Sequence, residues 1–234
     1  MIESVNMEIV TTPMCEKILE FAGISEYKVN KDPDKEQGDL AIILSESKVK
    51  MNSLNIKLNT FSQIKDSIIE VYRLKCDEPS CNYPISEEEI EYIFSQYSIA
   101  NKWVSNEKKE LQDKNYRIKV KVYSKFLQDI VEDMGFNIVS DDQSNFDYMV
   151  LPDYMNIENI GDTEGTGNIK NIGDTENIEN IGDTEDTGDI DSNYNNYRIV
   201  SIPTHKNVSK DPIKRAELRY SILSNLKSNV ENLV

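Results

Sequence analysis

The sequence is poor in the residues from which most metal and redox sites are built. One histidine and three cysteines stand among 234 residues. That is too few for a His-rich metal centre, and an odd cysteine count does not make a disulfide framework. Positive charge is also short: 26 Lys+Arg against 42 Asp+Glu give a formal net charge of −16. A nucleic-acid binder needs a surplus of Lys and Arg on one face, and anionic membranes repel such a balance. Neither is an expected partner. No stretch approaches the roughly 20 apolar residues of a membrane helix. The opening Met1-Ile2-Glu3-Ser4-Val5-Asn6-Met7-Glu8 has neither the basic region nor the apolar run of an export signal. The expected location is the cytoplasm, with thiols reduced.

Glycine is scarce and unevenly placed. Six of the nine glycines fall in 156–192, and Gly23, Gly38 and Gly135 are isolated. That excludes the Walker and dinucleotide phosphate loops, and neither G-x-S-x-G nor H-E-x-x-H occurs. Residues 156–192 are instead a repeat. Asn-Ile-Glu-Asn-Ile-Gly-Asp-Thr-Glu at 156–164 returns at 168–176 with Lys170 for Glu, and again unchanged at 177–185. The tract holds 11 Asp/Glu and one Lys, so it carries −10 of the −16 and leaves −6 elsewhere. Isolated isoleucines are too few to offset the entropy of ordering it, so a disordered low-complexity insert is expected. A calcium-binding β-roll needs paired glycines in each turn, and each copy here has one.

The remainder reads as a duplication. Met7–Thr12 is a short strand, and Pro13–Ala22 a helix stopped by Gly23; Arg117–Tyr123 and the stripe Phe126, Leu127, Ile130, Val131, Met134 stopped by Gly135 repeat that pattern 112 residues on. Strand-type segments follow at 27–29, 39–44 and 54–60, matched by 136–139, 147–152 and 197–204, and a helix ends each half at 61–75 and 212–229. Between the halves, Ser86-Glu87-Glu88-Glu89 is a capping box that opens a helix to about Val104. The expected fold class is α/β: two similar small lobes, with mostly parallel sheets, joined by a helix. The expected boundaries are 1–82 for the first lobe, 83–112 for the connection, 113–155 with 193–234 for the second lobe, and 156–192 for the insert.

In open α/β sheets ligands bind beyond the carboxyl ends of the strands. Applied here, that rule singles out Thr11, Thr12, Cys15, Asn59 and Thr60 in lobe one, and Ser124, Lys125, Thr204 and His205 in lobe two. A helix start at Pro13–Glu16 would aim free N–H groups at a carboxylate or phosphate, although Thr12 there also reads as an ordinary N-cap. Cys15 in that first turn is expected to have a lowered thiol pKa. Cys15, Cys76 and Cys81 all fall in lobe one and could hold an iron–sulfur cluster or another soft metal if they converge. Unremarkable thiols are the plainer reading of a C-x4-C spacing.

In layout, the two lobes and connecting helix resemble cluster-type substrate-binding proteins and the lobes of nitrogenase-like cofactor-assembly proteins. The Asn-, Ile-, Lys- and Asp-rich usage, with Val10-Thr11-Thr12-Pro13-Met14-Cys15-Glu16, resembles methanogenic-archaeal proteins. No family motif is matched residue by residue, and no site residue is carried over. The expected function is a bilobal binding or assembly protein holding a small anionic ligand or cofactor between its lobes. The alternatives are a non-catalytic interaction subunit of a larger complex with a protein partner, and an enzyme using Cys15 as nucleophile or ligand and His205 as acid/base.

Overall fold

The computed structural model describes residues 7–74, 85–105, 107–140, 145–155, 198–204 and 208–227. The acidic repeat, Cys76, Cys81 and His205 lie outside them. Lobe one runs β1 (Ile9–Thr11), α1 (Glu16–Phe21), β2 (Lys28–Val29), a 3-10 turn (Pro33–Lys35), β3 (Leu40–Leu44), β4 (Ser53–Ile56) and α2 (Phe61–Arg73). Three helices follow: α3 (Glu87–Ser95), α4 (Ser98–Val104) and α5 (Lys108–Asn115). Lobe two is β5 (Lys119–Val122), α6 (Lys125–Asp133), β6 (Asn137–Ile138), β7 (Tyr148–Pro152), β8 (Arg198–Ile202) and α7 (Pro212–Ser224).

The two sheets have the same topology. One is ordered β2-β1-β3-β4 and the other β6-β5-β7-β8, and every pairing is parallel. Parallel strands covered on both faces read as continuous apolar runs, and Ala41–Ile43 and Tyr148–Pro152 are buried throughout. The likeness extends to single bonds. Asp39 accepts from the Glu8 N–H at 2.8 Å, and Asp147 accepts from the Lys119 N–H at 2.8 Å. Gly23 and Gly135 end the first helix of each lobe with φ of 70° and 79°, the left-handed conformation that glycine adopts without penalty. The first strands correspond at an offset of 111, by Glu8 and Lys119. The helices correspond at 112, because Glu16 N–H donates to Thr12 O where Gln128 N–H donates to Ser124 O. Lobe two therefore carries one additional residue in the corner between its first strand and helix.

The single connecting helix expected through Val104 is broken. Tyr97 is extended, with φ −126° and ψ 117°, and its hydroxyl donates to Asp211 at 2.7 Å. Glu217 of α7 then accepts from the N–H groups of Ile99 and Ala100. Side chains 114 to 118 residues away thus hold the break, supplying acceptors that a helix start needs. Among the described residues no helix is long and apolar enough to cross a membrane.

Candidate functional site

The second lobe ends on a helix whose buried face is not wholly apolar. α2 and α7 are matching 13-residue helices, N-capped by Thr60 and Asp211. Counted from the caps, Ile64 and Ile68 of α2, both fully buried, correspond to Arg215 and Arg219 of α7. Arg215 is 2% exposed and Arg219 6%. Burying a guanidinium is costly without a partner, yet among the described residues neither forms an ion pair with a carboxylate.

Their partners are main-chain carbonyls, in the turns that follow β1 and β8 and in the turn that precedes α7. Arg215 Nη1 donates to Ser209 O and Lys210 O, and its Nη2 reaches across to Met14 O at 3.5 Å, in the turn that follows β1. One helical turn on, Arg219 donates from Nε to Pro203 O and from Nη2 to Thr204 O, just beyond β8, and lays its guanidinium 5.2 Å from the centre of the Phe126 ring. One face of α7 therefore touches the carboxyl ends of the first strand of lobe one and the last strand of lobe two. Burial lowers the pKa of both guanidiniums, that of Arg219 to about 10 with the neighbouring Arg215 charge adding to the effect, against the opposing pull of Asp211 on Arg215 and of Asp153 on Arg219. Both are cations at neutral pH.

The residues expected to bind ligand divide into two groups. In lobe one most are committed to structure. The Thr11 hydroxyl donates to Ile42 O inside the sheet. Thr60 caps α2 in a reciprocal capping box with Gln63. Asn59 donates to Asp129 of α6 at 3.0 Å, a contact between lobes. Cys15 departs from its expected chemistry. It is fully buried at the N-cap of a six-residue helix, and desolvation pushes its pKa up to about 11, against the opposing effects of Thr12 and Arg215. It is a neutral thiol, because burial outweighs the partial charge of so short a helix. The helix start expected at Pro13 is a turn, with the N–H groups of Cys15 and Glu16 both donating to Thr12 O.

In lobe two, Thr204 is buried and its hydroxyl is hydrogen-bonded to Asp153. Ser124, half-buried, is the N-cap of α6 but its side chain makes no capping bond, and Lys125 beside it is exposed. Of the expected lobe-two residues, Thr204 meets Arg219 through its main-chain oxygen, and Arg219 also lies over Phe126 of α6. The structure does not describe His205. It likewise leaves Cys76 and Cys81 undescribed, so the three-cysteine metal site lies outside the described residues. Among those, no group of three or more His, Cys, Asp or Glu is placed to hold a metal ion.

Arg215 and Arg219 were not among the expected site residues. The signal was the helical phase: Ile213, Ala216, Tyr220 and Leu223 define the buried face, and 215 and 219 fall within it. Leu218 of the same helix is 39% exposed. Away from this region, Glu88, Glu91, Tyr92, Ser95, Asn101, Val104 and Ser105 line an open groove of about 380 Å³ along α3 and α4.

No protein-family model matches the chain, and no curated protein matches it. Among solved structures, a manganese-bound variant of a periplasmic metal-binding protein from Candidatus Liberibacter asiaticus is similar, at 11% identity and a TM-score of 0.46, covering 97% of this chain and 100% of that one. The metal-dependent lipoprotein YcdH of Bacillus subtilis is similar at 9% identity and a TM-score of 0.35, over 62% and 79% of the two chains. The laminin-binding protein Lbp of Streptococcus pyogenes stands at 11% and 0.35, over 64% and 80%. These are likenesses of outline at low identity, and the functional reading rests on the chain's own residues, which make a two-lobed α/β protein with paired buried arginines between its strand ends.

Proposed function

We propose that this protein is a bilobal binding protein that holds a small anionic ligand between its lobes. The observation that carries the reading is the replacement, in α7, of the two core isoleucines of α2 by Arg215 and Arg219, buried with no ion pair to a carboxylate among the described residues, although Asp211 and Asp153 lie near them. Apolar residues in a core need no partners; two adjacent buried cations oppose each other, and an anion between the lobes relieves that repulsion. The strand-end position is where open α/β sheets place ligands. The names of the similar structures suggest a metal cargo instead, for which the described residues supply no donor set.

The test is a thermal-shift series on the whole chain with phosphate, sulfate, succinate and citrate. Saturable stabilisation by at least one is expected, about 2.7 kcal/mol at a hundredfold excess over Kd. Arg215→Met and Arg219→Met, which keep the side-chain length and restore apolar character, are expected to remove the response. Silence toward every anion overturns the reading, and a response to manganese or zinc alone would replace it with the metal one.

A further inference from the structure

We infer that the groove between α3 and α4 is a docking site for a basic segment of a partner protein, which places a Lys or Arg over the Tyr92 ring beside Glu88 and Glu91 and an apolar neighbour against Val104. No residue of α7 or of a strand end lines this groove, so it is a second surface, separate from the buried arginines.

The break at Tyr97 makes the groove. At about 3.6 residues per turn, an unbroken helix from Glu87 would carry Val104 in the buried stripe of Ile90, Phe94 and Tyr97, and Trp103 outside it. The extended residue reverses this. Trp103 is buried against Tyr220, and Val104 is turned outward, 36% exposed. Val104 and Asn101 of α4 then share an open concavity of about 380 Å³ with Glu88, Glu91 and Tyr92 of α3. Tyr92 is 71% exposed, more than any other large hydrophobic side chain among the described residues. Two apolar side chains released from the core thus stand together on one surface, under an acidic rim.

The charge of that rim selects the occupant. α3 carries Glu87, Glu88, Glu89 and Glu91 and no Lys or Arg, whereas α1, α2, α5, α6 and α7 each mix both signs. Acidic residues in a first turn suit the helix dipole, and Glu89 is spent on the capping box with Ser86, but Glu91 lies beyond that turn. Among the described residues no Lys or Arg pairs with Glu88 or Glu91, and no cation lies over the Tyr92 ring. Elsewhere the chain fills such positions itself, with Lys17 over Phe21 and Arg219 over Phe126. Carboxylates beside an aromatic face suit a Lys or Arg head, and Val104 suits its stem or an apolar neighbour. A second copy of this chain, at a formal net charge of −16, would bring like charge to the rim.

The test is an NMR titration of the whole chain with a short peptide of alternating Arg and Leu, followed at the amides of Asn101 and Val104. Reading those amides separates this surface from the acidic repeat at 156–192, which attracts any cation. Saturable shifts are expected with the Arg–Leu peptide, weaker binding when Gly replaces its Leu, and none when Glu replaces its Arg. Glu88→Gln combined with Glu91→Gln should raise the Kd about 5-fold, and Tyr92→Ala about 3-fold. These side chains are exposed and Glu89 is untouched, so the capping box and the fold should survive. Unmoved amides, equal shifts with the Glu peptide, or a Kd indifferent to both variants overturns the assignment. Shifts at the same amides on diluting the chain without peptide would give the groove to a second copy and overturn the basic segment as its occupant.

Discussion

At the scale of single residues, burial decides what chemistry a side chain keeps. Cys15 sits where sequence reasoning places a reactive thiol, but it is fully buried and its pKa stands near 11 against an ordinary 9.0. In a Cys76→Ser, Cys81→Ser background it is expected to react with a disulfide reagent at pH 7.5 far more slowly than a free thiol, with full reaction in denaturant. Labelling of the native protein at the free-thiol rate would refute the burial. The same shift has a consequence for stability. The native state holds this proton more tightly than the unfolded chain does, so its contribution is intact below about pH 9 and lost as pH rises toward 11. Tyr97 and Tyr220, both shifted upward by burial and by hydrogen bonds to carboxylates, act in the same direction at still higher pH. Adding Cys15→Ala should flatten the decline between pH 9 and 11. The expected site residues were only partly legible for a related reason. Thr11, Asn59 and Thr60 have the right residue types at strand ends, but a hydroxyl or amide there serves a sheet, a lobe contact or a cap equally well, and only the partner tells which.

At the scale of elements, most of the fold was readable because its signals are local. Gly23 and Gly135 stop helices in both lobes, and the buried strands are continuous apolar runs flanked by polar turns. The break at Tyr97 was not readable, since Asp211 and Glu217 enforce it from α7. Nor was the exchange of α2 isoleucines for α7 arginines, which appears only once the two helices are aligned from their caps. The local signals yield firm expectations. Thr60→Ala removes one half of a reciprocal capping box and should cost about 1 kcal/mol. Because Thr60 is 3% exposed and bonded within α2, anion binding should not change; a loss of binding without loss of stability would restore it to the ligand site. Gly135→Ala faces a harder obstacle. Its φ is 79°, and a Cβ there would stand 2.6 Å from Gln112 Cβ of α5 and 2.9 Å from the Gln112 carbonyl oxygen. Backbone strain and backbone contact together should cost more than about 1 kcal/mol, read as a fall in the denaturation midpoint.

At the scale of the molecule, the two lobes share one interior. Phe61 of lobe one lies 4.4 Å from Tyr220 of lobe two, and Trp103 of the connecting helices packs edge-on against Tyr220 at 5.2 Å. Polar contacts surround this cluster. The Tyr220 hydroxyl donates to Asp133 at 2.6 Å, Lys108 of α5 pairs with the other oxygen at 2.8 Å, and Asp129 of α6 accepts from Asn59 and Gln63 of lobe one at 3.0 Å each. Lobe one, connection and lobe two therefore meet in one aromatic cluster with a hydrogen-bonded rim, and they should unfold together. Phe61→Ala opens a cavity in that cluster and is expected to cost about 3–5 kcal/mol. Tyr220→Phe keeps the ring packing and removes one hydrogen bond to a carboxylate, for about 1.5–3 kcal/mol. The single tryptophan reports from the junction itself, while far-UV circular dichroism reports from both sheets. For wild type and both variants the two signals should fall along one denaturation curve. If Phe61→Ala instead separates them, with part of the ellipticity surviving the loss of the Trp103 signal, the lobes are independent folding units. The interior they share would then be a docked interface, free to open and close on a ligand, and the anion would be expected to restore the coincidence of the two curves by bridging α7 to both sets of strand ends.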